Sequence, residues 1–305
     1  MLKYFPFTPT FDLRMGTSPL KDEETVAETD ELYLSEIKLK RTLLDEDHSY
    51  YFNSRPESKL AQWDVVELVL NHLVKHDPAF FLLDKKGSTI TWHNKNLGES
   101  FEFEFGDDAA FSTAPLDWTG RQVQEDLIIL NPDGEVVAGQ LCFPSGWALH
   151  EKLGKQFLEV HGPLPDVTNP MIQSANKFLE RIPAGKSFVR NNWGFRLGDR
   201  LDMSSKYSQW YREKLSDELP LLTQESFGEK IFVRVEHQTL TRLPRSNYIL
   251  FTIHTFNSSL KNETSDKQRA RTMLSFLKGV PKELLDYKII TPFYMPMMEY
   301  LVSKI

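Results

Sequence analysis

Cysteine is almost missing from this chain of 305 residues, and the single Cys142 rules out an internal disulfide or a four-thiolate iron or zinc centre built from this chain alone. A reducing, cytoplasmic setting fits that scarcity. Positive charge is also in short supply. Lys and Arg number 36 against 43 Asp and Glu, a formal net charge of -7. No overall positive field gathers a phosphate backbone, so nucleic acid is not an expected partner. No stretch approaches the roughly 20 consecutive apolar residues that cross a bilayer. The start, Met1-Leu2-Lys3-Tyr4-Phe5-Pro6-Phe7, lacks the pattern of a secretory signal. The expectation is a soluble protein with no membrane contact. No Gly-rich phosphate loop, nucleophile elbow, His-Glu-x-x-His helix or Cys pair occurs either, which leaves hydrolase and nucleotide-dependent readings without support.

What is present describes a folded α+β chain. Hydrophobic residues make up 40% and charged residues 26%, the usual balance of a globular core. Helices are expected over 29–46, where Leu32, Ile37, Leu39, Leu43 and Leu44 cluster on the wheel, and over 60–76, whose apolar residues cover more than half the circumference. From residue 78 the period shortens. Runs rich in Phe, Ile, Val and Thr, punctuated by Lys85-Lys86-Gly87 and Asn131-Pro132-Asp133-Gly134, predict antiparallel strands near 78–83, 88–93, 99–105, 122–130, 136–143, 187–195, 231–239 and 247–256. Asn169 as a cap and Pro170 in the first turn open a further helix, with Ile172, Ala175, Phe178 and Leu179 inward. Helical pattern returns from Ala270 to Leu277 and from Pro296 to Val302. The expectation is a single domain over 1–305, with a core at about 60–260, an N-terminal helical segment 1–59 and a C-terminal helical cover 262–305.

Two constellations carry chemistry. Of eight histidines, His72 and His76 have the i, i+4 spacing of a metal pair but no intervening general-base Glu, and they read as structural. His161 differs. Phe157-Leu158-Glu159-Val160 runs into His161-Gly162-Pro163-Leu164-Pro165, which ends an element at an imidazole on stiff backbone. That arrangement suits either an axial ligand to haem iron or an ordinary turn histidine. On the strand from Ile231, Arg234, Glu236 and Gln238 share one face, and Val233, Val235 and His237 share the other. The charged face is either a solvated strand with a modest ion pair or the wall of a polar pocket.

Six ordered blocks then carry a resemblance. They are Gln124-Glu125-Asp126-Leu127, Cys142-Phe143-Pro144-Ser145-Gly146-Trp147, Glu151-Lys152-Leu153-Gly154, Val160-His161-Gly162-Pro163-Leu164-Pro165, Arg190-Asn191-Asn192-Trp193, and Arg234 through Pro244. In order and spacing they resemble the α subunit of haem-dependent oxidative N-demethylase and its relatives. Weaker similarity from Arg14 to Tyr33 extends the match over most of the chain.

The resemblance implies a PAS-like antiparallel sheet with flanking helices that form a pocket for haem b. It implies an enzyme that oxidises dimethylamine to methylamine and formaldehyde, with O2 and electrons from a separate flavin or iron–sulfur reductase. The family's Ile-His-x-Pro-Val-Pro block falls on Val160 to Pro165, so His161 takes the proximal-ligand role. On that reading Arg234 polarises oxygen or holds a haem propionate, and Glu236 accepts a hydrogen bond from the substrate ammonium. Lys152, Arg190 and Asn192 contact propionates, and Trp193 packs on the porphyrin. The sequence departs from the family pattern at His237, where Arg or a similar residue is expected, and at Gly146, where a larger residue is common. His150 and His254 also fall where relatives have other residues. These departures put the substrate in doubt more than the haem. The rivals are a haem PAS sensor or carrier without turnover, and a scaffold that has lost its haem.

Overall fold

The computed structural model describes residues 1–305 apart from Asp108 and Pro163. Its centre is a seven-stranded antiparallel sheet in the order β1-β8-β9-β10-β6-β7-β2. Three long strands form its middle: β8 (Ser187–Leu197), β9 (Ile231–Arg242) and β10 (Ile249–Ser259). Beside them lie β6 (Asp126–Leu130) and β7 (Val136–Gln140), and the edges are the short β1 (Ser18–Pro19) and β2 (Phe52–Ser54). A separate antiparallel sheet joins β3 (Phe81–Lys86), β4 (Thr89–Asn94) and β5 (Glu99–Glu104). Gly87-Ser88 is the two-residue turn between β3 and β4. In the β6–β7 turn the Asn131 side chain accepts from the backbone of Asp133 and Glu135, at 3.1 and 2.9 Å. The α+β class expected from the changing period is observed.

Period-two strands with apolar residues on both sides must be covered on both faces, and this sheet is. One face carries two apolar clusters. Near β8 and β9, Phe195, Leu197, Val233 and Val235 pack against α8 (Gln224–Lys230), α10 (Lys267–Lys278), α11 (Lys282–Tyr287) and α12 (Tyr294–Ser303). Toward β6 and β7, Leu127, Ile129 and Val137 meet α1 (Tyr33–Glu46), α2 (His48–Tyr51), α3 (Lys59–His76), α4 (Pro115–Gly120) and the small sheet. The opposite face, with Ile128, Leu240 and Ile253, lies under α5 (Phe157–Val160) and α6 (Asn169–Arg181). α7 (Ser208–Glu218) and α9 (Leu260–Glu263) complete the chain. Ile172 and Leu179 of α6 are buried, and each contributes about 1.5–3 kcal/mol by leaving water. No described helix is long and apolar enough to cross a membrane.

Some boundaries differ from the sequence expectation, for local reasons. The first helix begins at Tyr33 rather than 29, because the Asp30 carboxylate accepts from Leu32 N at 2.8 Å and its carbonyl from Tyr33 N at 3.1 Å, closing a turn before the helix. The strand expected from 122 begins at Asp126. The preceding glutamines bind sideways, Gln122 to Asn94 and Gln124 to Glu36, and stay out of the ladder. Thr168, not Asn169, occupies the N-cap position of α6, its hydroxyl donating to Pro165 O at 2.7 Å rather than capping the helix, and Pro170 falls in the first turn as expected.

The N-terminal half is pinned by a buried pair. Lys40, fully buried on α1, donates to the carbonyls of Val123, at 3.2 Å, and Glu125, and lies 3.8 Å from the Asp126 carboxylate. Asp126 itself accepts from Cys142 N and Phe143 N at 2.7 and 2.8 Å. Burial pushes the Asp126 carboxyl up to about 6, against the pull of Lys40 and those two amides. A raised folded-state pKa favours the fold at low pH, and that contribution is lost as pH rises through about 6. Lys40→Met therefore strands a buried carboxylate at pH 7 and should cost about 3–5 kcal/mol there. The deficit should shrink at about pH 5, where the carboxyl is protonated in both proteins. Urea unfolding at the two pH values checks this, and an equal deficit at both would contradict it.

Candidate functional site

The site grows from the sheet face under α5 and α6. α5 is a single turn, and the N–H of Gln156, the residue before it, is held by Glu159 Oε2 at 2.8 Å. His161 follows directly, its backbone N–H reaching Phe157 O at 3.3 Å and its Nδ1 at 2.8 Å from the same carbonyl. A carbonyl only accepts, so Nδ1 carries the proton and Nε2 a lone pair with no hydrogen-bond partner among the described residues. Burial, with Arg190 and Lys152 nearby, lowers the pKa of His161 in spite of the Phe157 carbonyl, so the ring is neutral. Phe157 lies under the ring at 4.2 Å. Lys152 donates to Val160 O at 2.9 Å, which ties the loop to the end of α5. Facing this turn are Phe188, Leu240, Phe251 and Ile253 of the sheet and Phe178 of α6, an apolar floor. The Gly162-Pro163 turn was expected to stiffen His161, but Pro163 lies outside the described residues.

The same face turns polar along β8 and β9. Cross-strand register puts Arg190 opposite Gln238 and Asn192 opposite Glu236. Arg234, Glu236 and Gln238 are 2%, 7% and 6% exposed, so the charged face is interior. Glu236 Oε2 accepts from Asn192 Nδ2 at 3.1 Å and Gln238 Nε2 at 2.8 Å. Burial raises its carboxyl, but Arg234, Asn192, Ser145 and Lys288 together outweigh that and hold it ionised, below the usual carboxylate range. Lys288, from the end of α11, donates to Asn192 Oδ1 at 3.1 Å and Trp193 O at 2.7 Å.

The two arginines differ in how far they are engaged. Arg234 donates from Nε to Ser145 Oγ at 2.7 Å, from Nη1 to Arg200 O at 3.2 Å, and from Nη2 to Phe143 O at 2.7 Å and Leu201 O at 3.0 Å. Arg190 has a buried Nε with no partner, and the neighbouring Gln238 Oε1 is equally orphaned. Burial lowers the pKa of both guanidiniums, that of Arg234 to about 10, and both remain charged at pH 7.

The structure thus brings His161, Lys152, Arg190, Asn192, Arg234 and Glu236 to one face, and not Trp193. One residue on from Asn192, the pleat turns Trp193 to the far side, against Phe276 at 5.1 Å. The far face also carries His237, stacked on Tyr4 at 3.8 Å, and His254, 2.9 Å from Glu125. Burial lowers His237 to about 3, so it is neutral. Among the described residues no group of three or more His, Cys, Asp and Glu side chains could hold a bare metal ion. Gly146, one of the departures noted in the sequence, has φ +91, a conformation L side chains rarely adopt.

The family model of haem-dependent oxidative N-demethylase, alpha subunit-like, matches residues 17–297. The chain belongs to this family. The site fits the haem dependence in the family's name. A lone neutral imidazole with a free Nε2 suits an iron whose other positions a macrocycle fills. The apolar floor suits a flat apolar ring, and the orphaned Arg190 Nε suits an anionic substituent.

Reasoning from sequence missed Lys288, Ser145 and the role of Gln238. Ser145 and Gln238 lay inside the blocks already singled out, whereas nothing in Lys282–Ile290 points to β8. An unpartnered guanidinium nitrogen carries a desolvation cost wherever no anion meets it. Arg190→Met should therefore stabilise the haem-free chain by about 1–3 kcal/mol while weakening anion binding. Urea unfolding of haem-free protein reads the sign, and a loss of stability would show that Arg190 is already satisfied.

Proposed function

We propose that this chain, acting as one haem-binding unit, holds haem b through His161 and oxidatively demethylates a small secondary amine such as dimethylamine. The observation that carries the proposal is the free Nε2 of a neutral His161 beside an apolar floor. A PAS-like description is supported by the antiparallel sheet with α5 and α6 laid on one face. Bound haem would supply the iron chemistry that activates O2 against an N-methyl carbon. Dimethylamine, O2, two electrons and two protons balance methylamine, formaldehyde and water. The electrons come from a separate reductase subunit, in keeping with the alpha-subunit family description.

The remaining roles belong to the chain's own side chains. Arg190, with its unpartnered nitrogen, is the first candidate for a haem propionate, and Lys152 holds the carbonyl that ends α5. Arg234 spends its donors on loop carbonyls, so its part is to place Ser145 and to keep Glu236 ionised. Asn192 and Gln238 aim the Glu236 carboxylate, which takes the substrate ammonium and orients its N-methyl group. Trp193 supports the strand from its far side rather than a porphyrin.

The test is chemical. Haem-loaded protein given O2, a reductant and dimethylamine should release one formaldehyde for every two electrons consumed. Glu236→Gln should retain its haem and lose about 10- to 100-fold in kcat/KM, since a hydrogen bond to a charged group contributes about 1.5–3 kcal/mol. A spectral response to gas with no amine-dependent formaldehyde would favour the sensor reading. Unchanged turnover in Glu236→Gln would remove that residue from the site.

A further inference from the structure

The charge around Glu236 is lopsided. Glu236 interacts with Arg190, Arg234 and Lys288, Arg196 bears on both Arg234 and Lys288, and the carboxylates of Asp126 and Asp202 act on Arg234 from behind, four cations against three anions. A cationic amine entering this pocket would meet more positive charge than negative. Three of those cations are guanidiniums, which keep their proton at any working pH. Arg234 and Arg196 are moreover bound to backbone carbonyls, Arg196 to Phe195 O and Lys288 O at 2.8 Å each. Only Lys288 can shed its charge.

Its surroundings favour that loss. The residue is part-buried, and its amino nitrogen lies against Asn192 Oδ1, Trp193 O and the Trp193 ring at 4.5 Å. Burial first, then Arg196 and Arg190, lower its pKa to about 7, against the pull of Glu236. The neighbouring Tyr287 phenol, raised by burial and by Glu236, stays neutral. The backbone is built to put Lys288 there. Ile289 sits at φ 58, a left-handed conformation costly for a β-branched residue, and Ile290 N–H closes onto Leu285 O at 2.9 Å. That turn leaves the Lys288 carbonyl on Arg196 and its amino group on Asn192, the side chain that aims Glu236.

We propose that Lys288 is the removable positive charge of this pocket: through Asn192 it is the counter-ion of Glu236 while the pocket is empty, and it gives up its proton when a cationic amine takes that place. The inference rests on the amine reading above. One ammonium enters and one proton leaves to solvent, so the pocket's charge is unchanged. Lys288 acts through Asn192 and Glu236, as a positioning residue that decides whether a cation is admitted.

Calorimetry of dimethylammonium binding to haem-loaded protein, in buffers of different ionisation enthalpy, counts the protons released. Wild type should release about one proton at about pH 6 and almost none at about pH 8.5. Its affinity should be about tenfold weaker one pH unit below the Lys288 ionisation, where about a tenth of the lysine is neutral. Lys288→Met should bind equally well at both pH values without proton release, and Lys288→Arg, charged throughout, should bind weakly at both. A second readout needs no amine. A lysine that ionises lower in the fold than in the unfolded chain leaves the unfolded state with more bound protons between about pH 7 and 10. The unfolding equilibrium constant of wild type should therefore fall up to about tenfold per pH unit relative to Lys288→Met over that range. A flat comparison overturns the proposal whatever the amine does. Amine binding at about pH 6 with no proton release overturns it and leaves the amine reading standing. No amine binding in any of the three proteins, at either pH, removes the amine reading and this inference with it.

Discussion

The guanidinium of Arg234 is the interaction on which the rest of the site depends. It stands near the start of β9, 2% exposed, and fastens two separate loops to the sheet through Ser145 and the carbonyls of Phe143, Arg200 and Leu201. A charge so enclosed is tolerable only when its donors are nearly all met and an anion is near. The anion is Glu236, one pleat further along the same face. The parallel bridge between Ser145 and Met203 lies where the two loops meet, beneath the guanidinium. Once Arg234 is placed, Glu236 must be ionised and inward. Asn192, Gln238 and Lys288 then have a carboxylate network to join.

Satisfaction is unequal across this face. Arg234 is engaged almost completely, while Arg190, two strand residues from Asn192, keeps an unpartnered Nε beside an unpartnered Gln238 oxygen. The far face is not fully satisfied either, since His254 Nε2, Glu125 Oε2 and Glu28 Oε1 are buried without a hydrogen-bond partner. There His254 is held by Glu125 at 2.9 Å, with Glu28 and Asp30 near 4 Å, and burial is outweighed so that its pKa is raised. That network ties β10 to the N-terminal segment. On the near face the orphaned Arg190 Nε and Gln238 Oε1 belong to residues paired across β8 and β9, on the sheet face that carries Glu236.

Legibility in the sequence followed from how local each signal was. β8, β9 and β10 were readable because alternation is a property of one strand, and the pairing of Arg234 with Glu236 and Gln238 on one face came with it. Whether that face met water or protein was not readable, since burial depends on α5, α6 and the 143–145 loop. The side of the sheet on which Trp193 lies went unread for a related reason. Its block was read as a unit, although period two sends Asn192 and Trp193 to opposite sides. β1 and β2, two and three residues long, have no period at all. Lys288 was invisible because its partners lie 95 and 96 residues away in the chain and only the packing of α11 brings them together. His161 was legible through its flanking residues, but the tautomer that frees Nε2 needed the Phe157 carbonyl in place.

The central claim is that His161 holds iron through Nε2, and haem titration followed by absorption spectroscopy tests it most directly. Wild type should bind one haem per chain with a sharp Soret band. His161→Ala should lose most of that binding while remaining folded, and His150→Ala, an exposed histidine close by in sequence, should bind as wild type does. An undiminished Soret band and unchanged stoichiometry in His161→Ala would contradict the account.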